Sequence, residues 1–158
     1  MILARVLPKD PKQYAGTKIA LYAFYLLTAI TLVRSCIHMF ASDGGAQSIA
    51  AIPLNEYSTA AASTIILIFA LWGFSQFLMG IVYVVVIFRY KGLIPLFYFL
   101  MFCEYAGRLF FGHWKPIITT GTPPGEVGNY IMTPVAIILF ILSIYSCHKC
   151  RKTNDSQL

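Results

Sequence analysis

The chain has 158 residues, of which 58% are hydrophobic, 15% aromatic and only 11% charged, and its mean hydropathy is +0.71. A soluble domain carries about a quarter charged residues, so this composition excludes a soluble globule and predicts one membrane domain over residues 1–158. The formal net charge is +6, but the basic residues are divided among short segments beside apolar runs, which argues against nucleic acid as a partner.

Four apolar segments are each near the ~20 residues that a helix needs to cross a bilayer. In chain order, the predicted spans are residues 18–40, 63–88, 93–114 and 130–147. None shows the alternation of apolar and polar residues that is typical of a membrane β-strand. Since only helices and closed barrels satisfy their backbone hydrogen bonds in lipid, the sequence predicts an all-α integral membrane protein, an antiparallel bundle of four transmembrane helices.

Lysine and arginine indicate how the helices are oriented. Basic residues lie before the first span, in the short turn between the second and third spans, and in the C-terminal tail; they are Arg5, Lys9, Lys12, Lys18, Arg89, Lys91, Lys149, Arg151 and Lys152. The other two connections hold only Lys115. Because cytoplasmic loops are enriched in Lys and Arg, we expect both termini in the cytoplasm of a multi-pass protein of the cell membrane.

The two connections on the outer side are long and contain several glycines and prolines, which favour consecutive turns. In the first of them, residues 41–62, the apolar side chains of Ile49, Ile52 and Leu54 suggest that the loop folds back onto the bundle or the interface. The alternative is that both connections, including residues 115–130, only join the helices.

Ionisable side chains interrupt two of the spans. Arg34 and His38 are four residues apart in the first span, as are Glu104 and Arg108 in the third, so each pair lies on one helix face. At ~1.5 Å per residue in a ~30 Å core, these residues fall in the outer half of the membrane. Because charges there cost ~2.5–3.5 kcal/mol each, we expect the first and third helices to be neighbours through their outer halves, with Glu104 shared between the arginines.

Arg34, His38, Glu104 and Arg108 are therefore the candidate ligand-binding residues. The two arginines exceed Glu104 by one positive charge, and a guanidinium binds a carboxylate or phosphate in bidentate fashion. The set predicts an outward-facing pocket for an anionic or lipid-like ligand, covered by residues 43–48 and 120–126. In the structural alternative, Glu104 neutralises one arginine and the other snorkels to the interface. A further alternative is a membrane enzyme with Glu104 or His38 as acid or base, although no catalytic set is identified.

Other polar or small residues in the spans have structural interpretations. Gln76 is predicted in the inner half, with an interhelical hydrogen bond. Gly73 and Gly80, seven residues apart, indicate close helix packing. Cys147 and Cys150 form a lone C-x-x-C motif, which favours palmitoylation or no role over a redox or zinc site. No metal and no cofactor are predicted.

Residues 70–116 include spaced glycines in the second span, a basic turn followed by Pro95, and the pair Gly107–Arg108 late in the third span. In these features the segment resembles small four-helix bacterial membrane families that are distantly DoxX-like. The resemblance implies a four-helix bundle in a bacterial inner membrane and a loose association with redox complexes, and it assigns no catalytic residue. The first functional hypothesis thus includes an accessory subunit, and the second is a purely structural subunit of a membrane complex, a homo- or hetero-oligomer.

Overall fold

The computed structural model describes residues 3–145, and its regular structure there is entirely helical. The helices are α1 (Leu3–Val6), α2 (Lys18–Phe40), α3 (Thr59–Arg89), α4 (Ile94–Trp114) and α5 (Pro124–Ile144), with short 3-10 turns at Leu54–Glu56 and Lys91–Leu93. Helices α2 to α5 are all long and apolar enough to cross a membrane. The prediction of an all-α chain with four candidate spans is confirmed.

Two helices begin earlier than predicted. Helix α3 starts at Thr59 rather than at residue 63, because the Ser58 hydroxyl accepts a hydrogen bond from the Ala61 N–H (3.3 Å) and caps the helix. Helix α5 starts at Pro124 rather than at residue 130, because proline is well suited to a first turn, where an N–H is not needed. Both first turns are small or polar, so a search for apolar runs does not detect them.

The last predicted span also ends earlier, since α5 stops at Ile144. The predicted end at Cys147 and the C-x-x-C motif of Cys147 and Cys150 lie outside the described residues.

The long helices pack as two pairs, α2 with α3 and α4 with α5. In the first pair, a Cβ built on Gly73 would lie 2.6 Å from the Cβ of His38, and one built on Gly80 would lie 2.6 Å from Cδ2 of Leu32. Both distances are too short for real carbon atoms. The two helices therefore approach closely along this glycine face, and the predicted close packing at Gly73 and Gly80 is confirmed.

A cluster of aromatic side chains joins the two helix pairs. The rings of Phe24, Tyr83 and Phe97, from α2, α3 and α4, lie with centroids between 5.4 and 6.4 Å apart. The fully buried Tyr98 donates its hydroxyl to the Ala20 carbonyl at 2.7 Å, so its polar end is satisfied. These contacts join the first halves of α2 and α4.

The segment before α2 crosses the same end of the bundle, which we call the basal end. The Gly92 N–H donates to the Pro11 carbonyl at 2.8 Å, and the Arg5 guanidinium donates to the Ile144 carbonyl at 2.7 Å. These bonds bring the N-terminal segment, the turn before α4 and the end of α5 together.

At the opposite end, which we call the loop end, the connection between α2 and α3 folds back onto α3. Ile52 and Leu54 are buried there, together with Ala46, against Ile65, Ile66 and Phe69. This confirms that the first connection packs on the bundle. The Thr120 N–H also donates to the Ala51 carbonyl at 2.9 Å, so the two long connections are bonded to each other.

Asp43 holds the first turn of this connection. Its carboxylate accepts hydrogen bonds from the N–H groups of Gly45 (2.9 Å) and Ser48 (2.7 Å). Burial raises the pKa of Asp43, but the hydrogen bonds from the backbone of Ser48 and Gly45 outweigh that effect and lower the pKa to about 2. The turn therefore keeps its ionised carboxylate throughout the neutral pH range, and its contribution to stability is lost only as the pH falls from the unfolded-state value towards 2.

Candidate functional site

A cavity of about 680 Å³ opens at the loop end, among the ends of all four long helices. Small-molecule sites in proteins have volumes of ~300–1,000 Å³. The helices contribute most of the polar and aromatic lining, namely Arg34, His38, Phe69, Trp72, Arg108, Phe111, His113, Glu126 and Asn129. The connections contribute Ile49, Ala50, Pro116, Ile117 and Thr119, among others. Both connections therefore cover the cavity, although the first does so through the residues directly after the predicted 43–48 segment.

Two guanidinium groups lie beside one indole ring at the deep end. The Cζ atoms of Arg34 and Arg108 are 5.9 and 4.8 Å from the ring centroid of Trp72, within the range of a cation–π interaction. On their respective helices, these three are the cavity-lining residues farthest from the loop end. We call Arg34, Trp72 and Arg108 the floor of the cavity.

Gln76 joins the charged residues of α2 and α4. Its side-chain oxygen accepts a hydrogen bond from Nη2 of Arg34 at 3.2 Å, and its amide nitrogen donates to Oε1 of Glu104 at 2.7 Å. Arg108 forms an ion pair with the same carboxylate oxygen from the next turn of α4. We call the resulting series Arg34–Gln76–Glu104–Arg108 the polar chain. Arg34 and Glu104 are therefore linked through a side chain of α3, whereas the sequence predicted a direct neighbourhood of α2 and α4 there.

The polar chain holds two guanidinium groups and one carboxylate, so one positive charge is in excess. Arg34 and Arg108 line the cavity, whereas Glu104 does not. The Nε atom of Arg34 is buried and has no hydrogen-bond partner among the described residues. Buried donors are normally paired, which makes this N–H a free donor at the floor.

His38 lies in the cavity wall without joining the polar chain. It is 2% exposed, and its Nδ1 is 2.8 Å from the Gly44 carbonyl, to which it donates. Its ring is 4.8 Å from that of Trp72. A Cβ on Gly45, whose φ is +76°, would lie 2.9 Å from the same Nδ1, so only glycine fits. His38 thus links α2 to the first connection by a hydrogen bond and packs against Trp72 of the floor.

The rim of the cavity, residues 115–126, holds Lys115 and Glu126, and Glu126 belongs to the segment 120–126 that the sequence predicted as a cover of the pocket. Glu126 lines the cavity from the first turn of α5, where the helix dipole stabilises a negative charge. Nearby, Nε2 of His113 lies 3.2 Å from the Tyr130 hydroxyl, while its Nδ1 donates to the Leu109 carbonyl at 2.8 Å. Because the fourth span was predicted to begin at residue 130, Glu126 was placed in a connecting loop.

Gln76 and Trp72 are the site residues that the sequence indicated least. The interhelical hydrogen bond of Gln76 is confirmed. It joins Arg34 and Glu104, which were predicted in the outer half, so the inner-half depth of Gln76, which was counted from residue 63, does not agree with theirs. Counted from the end of α3 at Arg89, Gln76 lies about 20 Å along the helix, close to the level of Glu104. Nothing in the sequence indicated that Trp72 lies in the site, since a tryptophan in an apolar span is usually a packing or interface residue.

Comparison of the chain with protein-family models, with curated proteins and with solved structures gave no match. The resemblance to DoxX-like families therefore stays a prediction. Within residues 3–145, no three His, Cys, Asp or Glu side chains come together as metal ligands.

Proposed function

We propose that this protein is a multi-pass membrane protein that binds an anionic ligand in the cavity at its loop end. The observation that carries the proposal is that Arg34 and Arg108 both line a cavity of about 680 Å³. Within residues 3–145, Glu104 is the one carboxylate that forms an ion pair with either guanidinium, and it lies outside that lining. A guanidinium forms strong, charge-assisted hydrogen bonds to carboxylates and phosphates, and these are worth more in a site that excludes water.

In the proposed arrangement, the four long helices cross the bilayer in antiparallel fashion with the basal end in the cytoplasm. The basic residues support this, because Arg5, Arg89 and Lys91 belong to elements at the basal end, whereas Lys115 lies at the loop end. The cavity then faces the outside of the membrane. In a bacterial cell, this membrane would be the inner membrane, with both chain termini in the cytoplasm.

Glu104 and Gln76 act as positioning residues for this site. Glu104 holds Arg108 directly, and Gln76 links the same carboxylate to Arg34. Two unpaired guanidinium groups within a membrane would be costly, so one carboxylate stabilises the two arginines of the empty site without cancelling both charges. The bound anion takes the place of the missing second carboxylate.

The test uses Trp72 as a reporter at the floor. The chain has two tryptophans, so the Trp114→Phe variant reports on Trp72 alone. We expect sodium phosphate to change its fluorescence in a saturable manner. In Arg34→Gln, which leaves the Glu104–Arg108 pair intact, binding should weaken about 10- to 100-fold, because a hydrogen bond to a charged group contributes about 1.5–3 kcal/mol.

Arg89→Gln is the matched control, since it removes the same charge at the basal end. Equal phosphate binding by Arg34→Gln and Arg89→Gln, or a signal that never saturates, would show that the polar chain is only structural.

A further inference from the structure

The cavity carries charged residues at its floor and at its rim, and its wall between them is largely apolar. Between the floor and the rim, the buried His38 is the polar member of a wall that otherwise presents apolar side chains from α3, α4 and the first connection, namely Phe69, Leu109, Phe111 and Ile49. Gly112 also lines this part, and a Cβ built on it would meet no atom within 4 Å. The cavity therefore continues above the two arginines as an apolar space.

This apolar space is too large for a small inorganic anion alone. A water molecule has a share of liquid volume of ~30 Å³, and a phosphate or acetate is only a few times larger, against a cavity of about 680 Å³. With such an anion at the floor, water would have to fill the remainder against apolar side chains, which is unfavourable. An apolar group attached to the anion reduces that cost, because it covers part of the apolar wall.

The height of the cavity limits the length of this apolar group. Arg108 at the floor and Lys115 at the rim are seven residues apart, or about 10 Å at the rise of a helix. An extended chain advances about 1.2 Å per bond, so about eight carbons fit between them.

We infer that the ligand is a single-chain amphiphile, with a carboxylate or phosphate monoester between Arg34 and Arg108 and an apolar chain of about eight carbons that extends to the rim. This inference rests on the proposed function, because it assigns the ligand class of the same site. In the proposed topology, the charged end of the ligand points towards the membrane centre. The headgroup of a lipid in the outer leaflet points the opposite way, towards the outer surface. A free acid or alkyl phosphate therefore fits the site, whereas a two-chain bilayer lipid does not.

The experiment titrates the Trp114→Phe protein in phosphatidylcholine nanodiscs with butyrate, hexanoate, octanoate, decanoate and dodecanoate. Each burial of a methylene contributes about 0.8 kcal/mol. Expressed against the free aqueous concentration, affinity should therefore rise about fourfold per methylene as far as octanoate, and then level off at decanoate and dodecanoate. Octanol should bind at least about tenfold more weakly than octanoate, because it lacks the charge that pairs with the arginines.

The glycines of α4 provide the matched pair of variants. Gly112→Leu should fill the apolar space and weaken octanoate binding more than tenfold, while phosphate binding stays within about twofold. Gly107 is also in open space but does not line the cavity, so Gly107→Leu should change neither. The affinities of octanoate and octyl phosphate are then compared. The tighter binder of the two shows whether the charged group of the ligand is a carboxylate or a phosphate monoester.

Four outcomes would overturn the inference. Affinity that does not depend on chain length would leave a small-anion site, so that the proposed function stands and the amphiphile does not. Affinity that rises equally to dodecanoate in wild type and Arg34→Gln would mean that the probes only enter the bilayer. Competition of phosphatidylglycerol with octanoate would assign the site to a bilayer lipid. If neither phosphate nor any amphiphile gives a saturable signal, both the inference and the proposed function fail.

Discussion

Gln76 has a chemical role that few side chains can take. A primary amide accepts a hydrogen bond at its oxygen and donates two from its nitrogen, so it can serve a guanidinium and a carboxylate at once. In this chain it does so between Arg34 and Glu104, which belong to two other helices. An apolar side chain at this position would remove both hydrogen bonds.

The Gln76→Leu variant should therefore lower the free energy of unfolding in mild detergent. We expect a loss of about 1–2 kcal/mol. A hydrogen bond between neutral side chains in a membrane contributes less than this loss, and a hydrogen bond to a charged group contributes somewhat more. Ser75→Ala is the control, because the neighbouring Ser75 hydroxyl bonds only to Leu71 of its own helix. A loss in Gln76→Leu no larger than that in Ser75→Ala would show that the amide bridge is energetically unimportant.

At the level of the elements, α3 differs from the other helices in length. Its 31 residues correspond to about 46 Å, which exceeds the ~30 Å hydrocarbon core. The additional turns lie at its beginning, where Ile65, Ile66 and Phe69 pack against the first connection. Helix α3 thus provides both the floor of the cavity, through Trp72, and the support of the loop that covers it.

Close approach of α2 and α3 should make Gly73 intolerant of a side chain. Gly73→Ala places a methyl group against the Cβ of His38 and 3.1 Å from the Ser35 carbonyl. Overpacking of this kind costs about 1–3 kcal/mol, which we expect as a loss of unfolding free energy. Gly107→Ala is the control. Its methyl group meets nothing within 4 Å, and alanine favours a helix over glycine, so it should be neutral or stabilising. Equal effects of the two variants would contradict the close packing.

The sequence predicted the existence of these helices well, because an apolar run of about 20 residues is long enough to cross a bilayer and too apolar for a soluble surface helix. It predicted their first turns poorly, since the caps at Ser58 and Pro124 lie in polar or small residues. It also predicted that Arg34 and Arg108 lie in one site, because burying an unpaired charge in a membrane is unfavourable. The bridge through Gln76 and the contribution of Glu126 depend on which helix faces meet, and one sequence does not determine that.

For the whole molecule, the division into two helix pairs accounts for the cavity. The pairs are joined by the aromatic cluster near the basal end, around Phe24 and Tyr98. At the loop end, the polar chain bridges the space between the pairs. The two connections cover this space and are hydrogen-bonded to each other at Ala51 and Thr120. The pairing of helices is set by small residues and side-chain shape, so a cavity at this place could not be predicted from hydropathy.

The proposed orientation can be checked by labelling with a membrane-impermeant maleimide in intact cells. In a background without native cysteines, Thr122→Cys should be labelled directly. Asp10→Cys, in the N-terminal segment, should be labelled only after the membrane is permeabilised, because the basic residues of the basal end favour the cytoplasm. The reverse pattern would place the cavity on the cytoplasmic side.

The hydrogen bonds of the basal end also determine the order in which the molecule can be completed. The Arg5 guanidinium and the Ile144 carbonyl that it contacts are 139 residues apart, so a ribosome working at 5–20 residues per second makes them roughly 7–28 s apart. During that interval Arg5 has no partner on α5. The basal end is therefore completed only after the fourth long helix has been synthesised, and the segment around Arg5 reaches its final contacts late, although it is translated long before α5.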